Sequence, residues 1–356
     1  MASVPLPANF PALRLDCLSR AALRAVPASW WDSVLGLVPI GLAPDVPATG
    51  EVPSIRVGLP LLGSGDLAFE AWRLESPLVS GRLGRVRYRR GGAVLFGCIE
   101  ITEVLDGNER GRGVSSLRDA TTEAYAEIFQ ALRELDCPYP LRIWNYLGAI
   151  TAVDEFGERY RQFNTARRAA FVQGARAVEG DVPAACALGS PAGSPLVVYF
   201  LAGAFPPRAI ENPRQLSAYH YPRDYGPDSP TFSRAALAPP ELGGALFISG
   251  TASIVGHLSV HPNDARAQAR EAVRNVRTLI DEANRGGAAP RFVPENFRYK
   301  AYVRHASDLA AIDEELIAGL APSNPILYLK ADICRSELLV EIEAVGDPLP
   351  VGVRAR

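Results

Sequence analysis

The sequence predicts an α/β (α+β) chain in which one folding unit occurs twice, and three observations carry that reading. The order strand, helix, strand, helix, strand runs through residues 91–202 and again through 243–344. Both copies open on the same tripeptide, Gly91-Gly92-Ala93 and Gly243-Gly244-Ala245. Within each copy, short apolar runs of strand length alternate with longer segments whose apolar residues recur about every 3.6 positions.

The second copy is laid out most clearly. Gly243 to Ile254 is an apolar strand ending in small residues. Asp264 is placed to cap a helix from Ala265 to about Ala283, with Ala269, Ala272, Val273, Val276, Leu279 and Ile280 on one face. Arg298 to Arg304 alternates as a strand, Asp308 opens a second helix through Leu309, Ile312, Leu316 and Ile317, and the run from Leu327 to Ala344 closes the unit as a strand. In the first copy the matching elements are Gly91 to Glu100, a helix over Glu123–Leu135, Arg142 to Ile150, a helix over Glu155–Phe171, and Ser194 to Ala202. This register sets Tyr199 opposite Glu341. Between the copies, Pro206 to Pro240 is rich in Pro, Tyr and Arg, and Gln215–Tyr221 reads as a strand followed by a loop over a site.

At 356 residues the chain can bury a large core, and the repeat divides it into 1–205, with an N-terminal extension, and 206–356. A net charge of −2 supplies no field for nucleic acid or an anionic membrane. No apolar run reaches the roughly 20 residues that span a bilayer. Residues 1–20 lack the basic and then apolar pattern of a secretory leader. Five cysteines are odd in number, widely spaced and without a C-x-x-C pair, which fits a reducing cytoplasm and opposes a disulfide scaffold or a zinc site. His257 and His261 lie at a strand end and loop, a poor frame for a metal, and no metal ligands are expected. Gly63-Ser64-Gly65 lacks the third glycine and the strand-to-helix context of a dinucleotide loop.

One feature of the closing run points to chemistry. As a strand, Leu338–Val345 puts Glu341 and Glu343 on one face, where period-two alternation would otherwise place core residues. Spacing leaves two readings open: a solvated pair on an edge strand, or buried carboxyls. In the second case burial favours the neutral, proton-donating acid. Cys334 stands seven residues before Glu341 in the same run.

Phe247-Ile-Ser-Gly-Thr-Ala252, the helix from Asp264 and the closing Leu338-Leu-Val-Glu-Ile-Glu-Ala344 resemble the RidA/YjgF superfamily. That resemblance implies two tandem RidA-like domains, each a mixed sheet packed on two helices. RidA imine deaminases carry a carboxylate-binding arginine where this chain has Leu327, which weighs against imine deamination. Arg142-Ile-Trp-Asn-Tyr146, Glu158-Arg-Tyr-Arg-Gln-Phe-Asn164, Asn212 to Pro222, Ser249 to His257 and Ala331 to Glu341 are similar to the chorismatase family over nearly all the chain after about residue 60.

That second resemblance implies a cofactor-free enzyme whose substrate is chorismate. Glu341 would protonate the enolpyruvyl ether, and Cys334 would steer the product towards 3-hydroxybenzoate, with or without 4-hydroxybenzoate, rather than the diene diol formed by water attack. Chorismate is a dianion, so arginines are required. The candidates are Arg161 and Arg214, with Arg142, Arg304 and Lys330 in reserve. Tyr219, Tyr221 and Asn145 would supply hydrogen bonds, and Ala252 and Ser253 would shape the pocket. Small RidA proteins are trimers with sites between subunits. Two copies and an extension would rebuild such an interface inside a monomer. The alternatives are hydrolysis of chorismate to the dihydroxycyclohexadiene carboxylate and pyruvate, a RidA-like imine deaminase, and a ligand-binding protein without turnover.

Overall fold

The computed structural model describes residues 13–42, 50–63, 65–103, 115–285 and 291–349. Residues 1–12 of the segment 1–20 considered for a leader, and Ser64 of Gly63-Ser64-Gly65, lie outside these. The N-terminal extension forms an antiparallel sheet of β1 (Leu13–Ser19), β2 (Val34–Pro39) and β3 (Leu67–Leu74), with β3 in the middle. Ser19 caps a short helix, α1 (Arg20–Ala25), by accepting from the Ala22 amide.

The first repeat comprises β4 (Leu78–Leu83), β5 (Val86–Gly91), β6 (Val94–Ile101), α2 (Ser116–Glu134), β7 (Tyr139–Gly148), a hairpin of β8 (Val153–Asp154) and β9 (Gly157–Glu158), α3 (Arg159–Gln173), β10 (Ala184–Ser190) and β11 (Leu196–Gly203). The second comprises β12 (Arg208–Ile210), β13 (Ala235–Leu237), β14 (Leu246–Ala252), a hairpin of β15 (Ile254–Val255) and β16 (Leu258–Ser259), α4 (Ala265–Asn284), β17 (Phe297–Val303), α5 (Leu309–Leu320), β18 (Leu327–Lys330) and β19 (Val340–Gly346). Strand order is β10-β7-β11-β6-β5-β4 in one sheet and, from the corresponding end, β18-β17-β19-β14-β13-β12 in the other. In each, the end pair is parallel and the rest antiparallel. The mixed α+β architecture and the repeat both stand.

The central strands are apolar on both faces because both faces are covered. All of β11 is buried. One face of the first sheet packs on α2 and α3, and one face of the second on α4 and α5. The remaining faces meet each other and the N-terminal sheet in a shared core. There Trp144 stacks on Tyr199 with centroids 4.5 Å apart, and Trp72 packs against Trp144 and Phe247. The Tyr146 and Tyr302 hydroxyls bond across the two sheets at 2.7 Å. Among the described residues no helix is long and apolar enough to cross a membrane.

Several expectations need correction. The run from Leu327 to Ala344 is not one strand but β18 and β19, separated by a loop that carries Cys334. Arg304 makes that loop: its guanidinium bonds the carbonyls of Leu338, Ile333 and Arg335 and the Asp332 carboxylate. In the first copy β10 was missed, since Ala-Ala-Cys-Ala-Leu-Gly-Ser is poor in branched and aromatic residues. The first helix begins at Ser116, capped by the Ser115 hydroxyl, well before Glu123. The second begins after the β8–β9 hairpin, not at Glu155. Gln215–Tyr221 is no strand. Its backbone turns over fully buried Ala218 in a 3-10 helix, so Tyr219 and Tyr221 lose their shared face. Finally, Tyr199 pairs across from Trp144 as Glu343 does from Lys300, so the pairings equate Tyr199 with Glu343 and not with Glu341.

Four charges are sealed where the three sheets meet. Lys300 on β17 binds Glu70 on β3 at 2.7 Å and Glu343 on β19 at 2.9 Å, and Arg142 on β7 binds Glu343 at 2.6 Å. Removing one member of a buried pair leaves an uncompensated charge. Lys300→Met is expected to cost about 3–5 kcal/mol, read as a fall in the urea midpoint at unchanged m-value. A loss within experimental error would show that the network is not structural.

Candidate active site

A cavity of about 300 Å³ opens between the two sheets, at the small end of the range for ligand pockets. β10 contributes Ala185, Cys186 and Ala187, and β7 contributes Asn145. From the start of α3 come Tyr160, Arg161, Phe163, Asn164 and Arg167, and from the interdomain segment Tyr221, Tyr225, Phe232 and Arg234. The second repeat adds Gly250, Ala252, Cys334, Arg335 and Glu341. Two backbone ties hold the halves together here. Gly189 at the end of β10 pairs with Asp332 of the Cys334 loop, and Ala184 pairs with Ser233. The Ser249 hydroxyl also accepts from the Ala185 amide at 2.9 Å.

Glu341 lies on β19 opposite Ala252 and Tyr302 and is 4% exposed. Its carboxyl occupies the space above Gly250, where any β-carbon would collide with Oε1. Burial first, and the charge of Glu343 second, push its pKa up to about 8, against the opposing pull of Arg142 and Arg234. For Glu343 burial acts upward as well, but Lys300 and Arg142 outweigh it and hold the carboxyl at about 2. Two glutamates on one strand face are thus driven apart, one neutral and one ionised, as an acid catalyst beside a fixed charge requires. The edge-strand alternative is excluded, because β19 is flanked by β14 and β17.

Cys334 lines the cavity, and burial followed by the Glu341 charge pushes its thiol up to about 12. It is therefore a neutral thiol at ordinary pH, suited to shaping the wall or donating a weak hydrogen bond, and not to nucleophilic attack. Tyr160, whose phenol burial also raises well above normal, sits beside it and bonds Asn164. Among the described residues no group of three His, Cys, Asp or Glu is placed to ligate a metal.

The other sequence candidates divide. Tyr221 and Ala252 line the cavity. Arg161 does so at its rim, nearly half exposed and paired with Glu158 at 2.9 Å. Asn145 lines it, but its amide is engaged: Oδ1 accepts from the Tyr125 hydroxyl and Nδ2 donates to the Cys186 carbonyl. Arg214 is elsewhere, binding Asn275 and Glu271 to pin the interdomain segment to α4. Tyr219 packs on His220 outside the cavity, and the Ser253 hydroxyl donates to the Val260 carbonyl. Of the reserves, Arg142 belongs to the core network and Arg304 to the loop, while Lys330 is exposed.

Three cavity arginines escaped the sequence reading. Arg167 and Arg234 are 3% and 4% exposed, and Arg335 is partly buried. Each has a buried N–H without a partner: Arg167 Nη2, Arg234 Nε and Arg335 Nη2. None is ion-paired among the described residues. Arg167 donates to the Tyr125 hydroxyl and lies over Phe171. Arg234 donates to the Leu216 carbonyl and the Tyr221 hydroxyl. Arg335 stacks 3.9 Å from the Tyr225 centroid and donates to the His257 carbonyl. Buried guanidiniums lacking carboxylates form a site for an anion that the protein itself does not supply. Arg167 had a sequence signal: it lies four residues from both Phe163 and Phe171, on the apolar face of its helix.

The family described as Chorismatase FkbO/Hyg5-like, N-terminal, matches residues 70–202. A chorismatase of Streptomyces hygroscopicus is 35% identical over 88% of this chain and 89% of its own length. A 3-hydroxybenzoate synthase from the same organism is 39% identical over 83% of this chain and 88% of its own. Among solved structures, a crystal structure of a chorismatase superposes with a TM-score of 0.82 at 32% identity, covering 96% of this chain and all of that one. On sequence and on fold, the chain belongs to the chorismatase family.

Proposed function

We propose that this chain cleaves the enolpyruvyl ether of chorismate to 3-hydroxybenzoate and pyruvate. The observation that carries the proposal is a buried Glu341 facing a cavity lined by three guanidiniums without ion-pair partners, a setting that favours its neutral form. Chorismate matches this inventory, with two carboxylates to be bound and one vinyl ether to be protonated. Arg234 and Arg335, fixed over the Tyr221 and Tyr225 rings, are the proposed carboxylate clamps, with Arg167 of α3 also in the lining and Arg161 at the entrance. This replaces Arg214, Tyr219 and Ser253 of the sequence reading.

In the proposed sequence Glu341 gives its proton to the vinyl methylene. The pyruvyl carbon becomes an oxocarbenium ion, and its ether oxygen a leaving group. The C4 hydroxyl oxygen bonds to C3 as the C3–O bond breaks. Pyruvate departs as the ketone, and the hydroxyl proton returns to the Glu341 carboxylate. The resulting arene oxide opens and loses a ring proton to give the aromatic product. The atoms of chorismate balance both products. Cys334 and Ala252 narrow the wall, which favours internal attack over entry of water. One chain supplies every group, which supports a monomer, and five free thiols support a reducing compartment such as the cytoplasm.

Glu341→Gln is expected to lower pyruvate release from chorismate by at least about 10²- to 10⁴-fold while the protein stays folded; retained turnover would remove Glu341 from this role. Cys334→Ala should raise the share of dihydroxycyclohexadiene carboxylate in the chromatographed products, and an unchanged ratio would eliminate steering by the thiol. The buried proton also has a stability signature. A glutamate near 4.3 when unfolded and at about 8 when folded stabilises fully below the first value, and the contribution is gone once pH passes the second. The melting temperature of the wild type should therefore fall more between pH 5 and 9 than that of Glu341→Gln. Equal falls would mean that Glu341 does not titrate in this window.

A further inference from the structure

Glu343 is two residues from Glu341 on the same face of β19, yet it does not line the cavity. Both of its oxygens are engaged. Oε2 accepts from Arg142, while Oε1 accepts from Trp144 Nε1 at 3.0 Å and from Lys300. Lys300 in turn holds Glu70, which accepts from the Tyr199 hydroxyl at 3.0 Å. The buried charges of this cluster, Arg142 and Lys300 against Glu70 and Glu343, sum to zero. Arg142 keeps a buried Nη1 without a partner and also acts on Glu341, but its charge and that of Lys300 are balanced by Glu70 and Glu343, so the network as a whole offers a second carboxylate on the strand no net positive charge.

The other titratable groups around Glu341 do not change that balance. Tyr302 on β17, Tyr160 on α3 and Cys186 on β10 are buried and neutral, as is Tyr146, which bonds Tyr302. Cys334 in the loop is a neutral thiol. The cation acting on Glu341 from outside the network is Arg234, whose free N–H, like that of Arg335 in the same cavity lining, belongs to the anion site.

Resting on the reading of Glu341 as the acid, we propose that Glu343 is a positioning residue that keeps the proton on Glu341. Its charge is fixed by Arg142 and Lys300, and a like charge two residues along the same buried face is disfavoured. The ion network that joins the three sheets thereby also sets the protonation of the acid.

The test reads Glu341 directly, by carbon-13 NMR of the glutamate carboxyls in the full chain, with Glu341→Gln assigning the signal. The pH profile of pyruvate release is recorded alongside. Glu343→Gln is expected to lower the Glu341 titration by on the order of one pH unit or more, and to move the basic limb of kcat with it. Glu343→Asp, which keeps the charge, should leave both near the wild-type position. Should Glu343→Gln fail to fold, Glu70→Gln frees positive charge on Lys300 and should move the titration the same way by less. An unmoved titration in the folded charge-removing variant overturns the proposal, even if the rate falls. Absence of pyruvate release from the wild type would instead count against the chemistry assigned to Glu341, and the NMR titration would still decide the part played by Glu343.

Discussion

The interaction on which the rest of the molecule depends is the buried pairing of Lys300 with Glu70 and Glu343, completed by Arg142. Each residue comes from a different strand, and the four strands belong to three sheets. Buried ion pairs add little net stability over apolar packing, but they are exacting about geometry, since each missing partner leaves a charge in a low-dielectric interior. That property suits an interface between repeats. Sliding one sheet against another by two residues would keep its apolar face in contact with the core but would separate these charges. The stacked Trp144 and Tyr199 rings and the Tyr146–Tyr302 hydroxyl pair add the same kind of constraint with uncharged groups.

The two repeats share a topology and have diverged in what they bring to the cavity. The first supplies Asn145, Cys186 and the α3 residues, including Arg167. The second supplies Glu341, the space at Gly250 and the loop with Cys334 and Arg335. At the position equivalent to Glu343 the first repeat has Tyr199, which contributes a hydroxyl to the same network. The segment joining the repeats is not a passive tether. Arg214 anchors it on α4, and Tyr221, Tyr225 and Arg234 form one wall of the cavity.

Where the sequence reading failed, it failed for local reasons. β10 was overlooked because its small residues lack strand character; it is a strand because β7 pairs with it along its whole length. As a strand, Gln215–Tyr221 would set Tyr219 and Tyr221 on one face, but a turn over Ala218 separates them. Arg214 looked like a substrate ligand among aromatics, and Glu271 and Asn275 on α4 claimed it. Arg234 and Arg335 carry no motif that marks them as unpaired. Being unpaired depends on which carboxylates lie within reach in space.

The sequence by itself determined the repeated unit, the α+β class and the placement of two carboxyls on one strand face, because strand and helix periodicities are local and a period of two cannot be satisfied any other way. The resemblance of its motifs also fixed the family. Only the tertiary structure decided which carboxyl keeps its proton. Glu341 and Glu343 are equivalent in pattern, and what distinguishes them is that Lys300 and Arg142 pair with one while the other faces an arginine-lined cavity. Protonation follows from neighbours distant in the chain and from exclusion of water, and neither is written in the local spacing of residues.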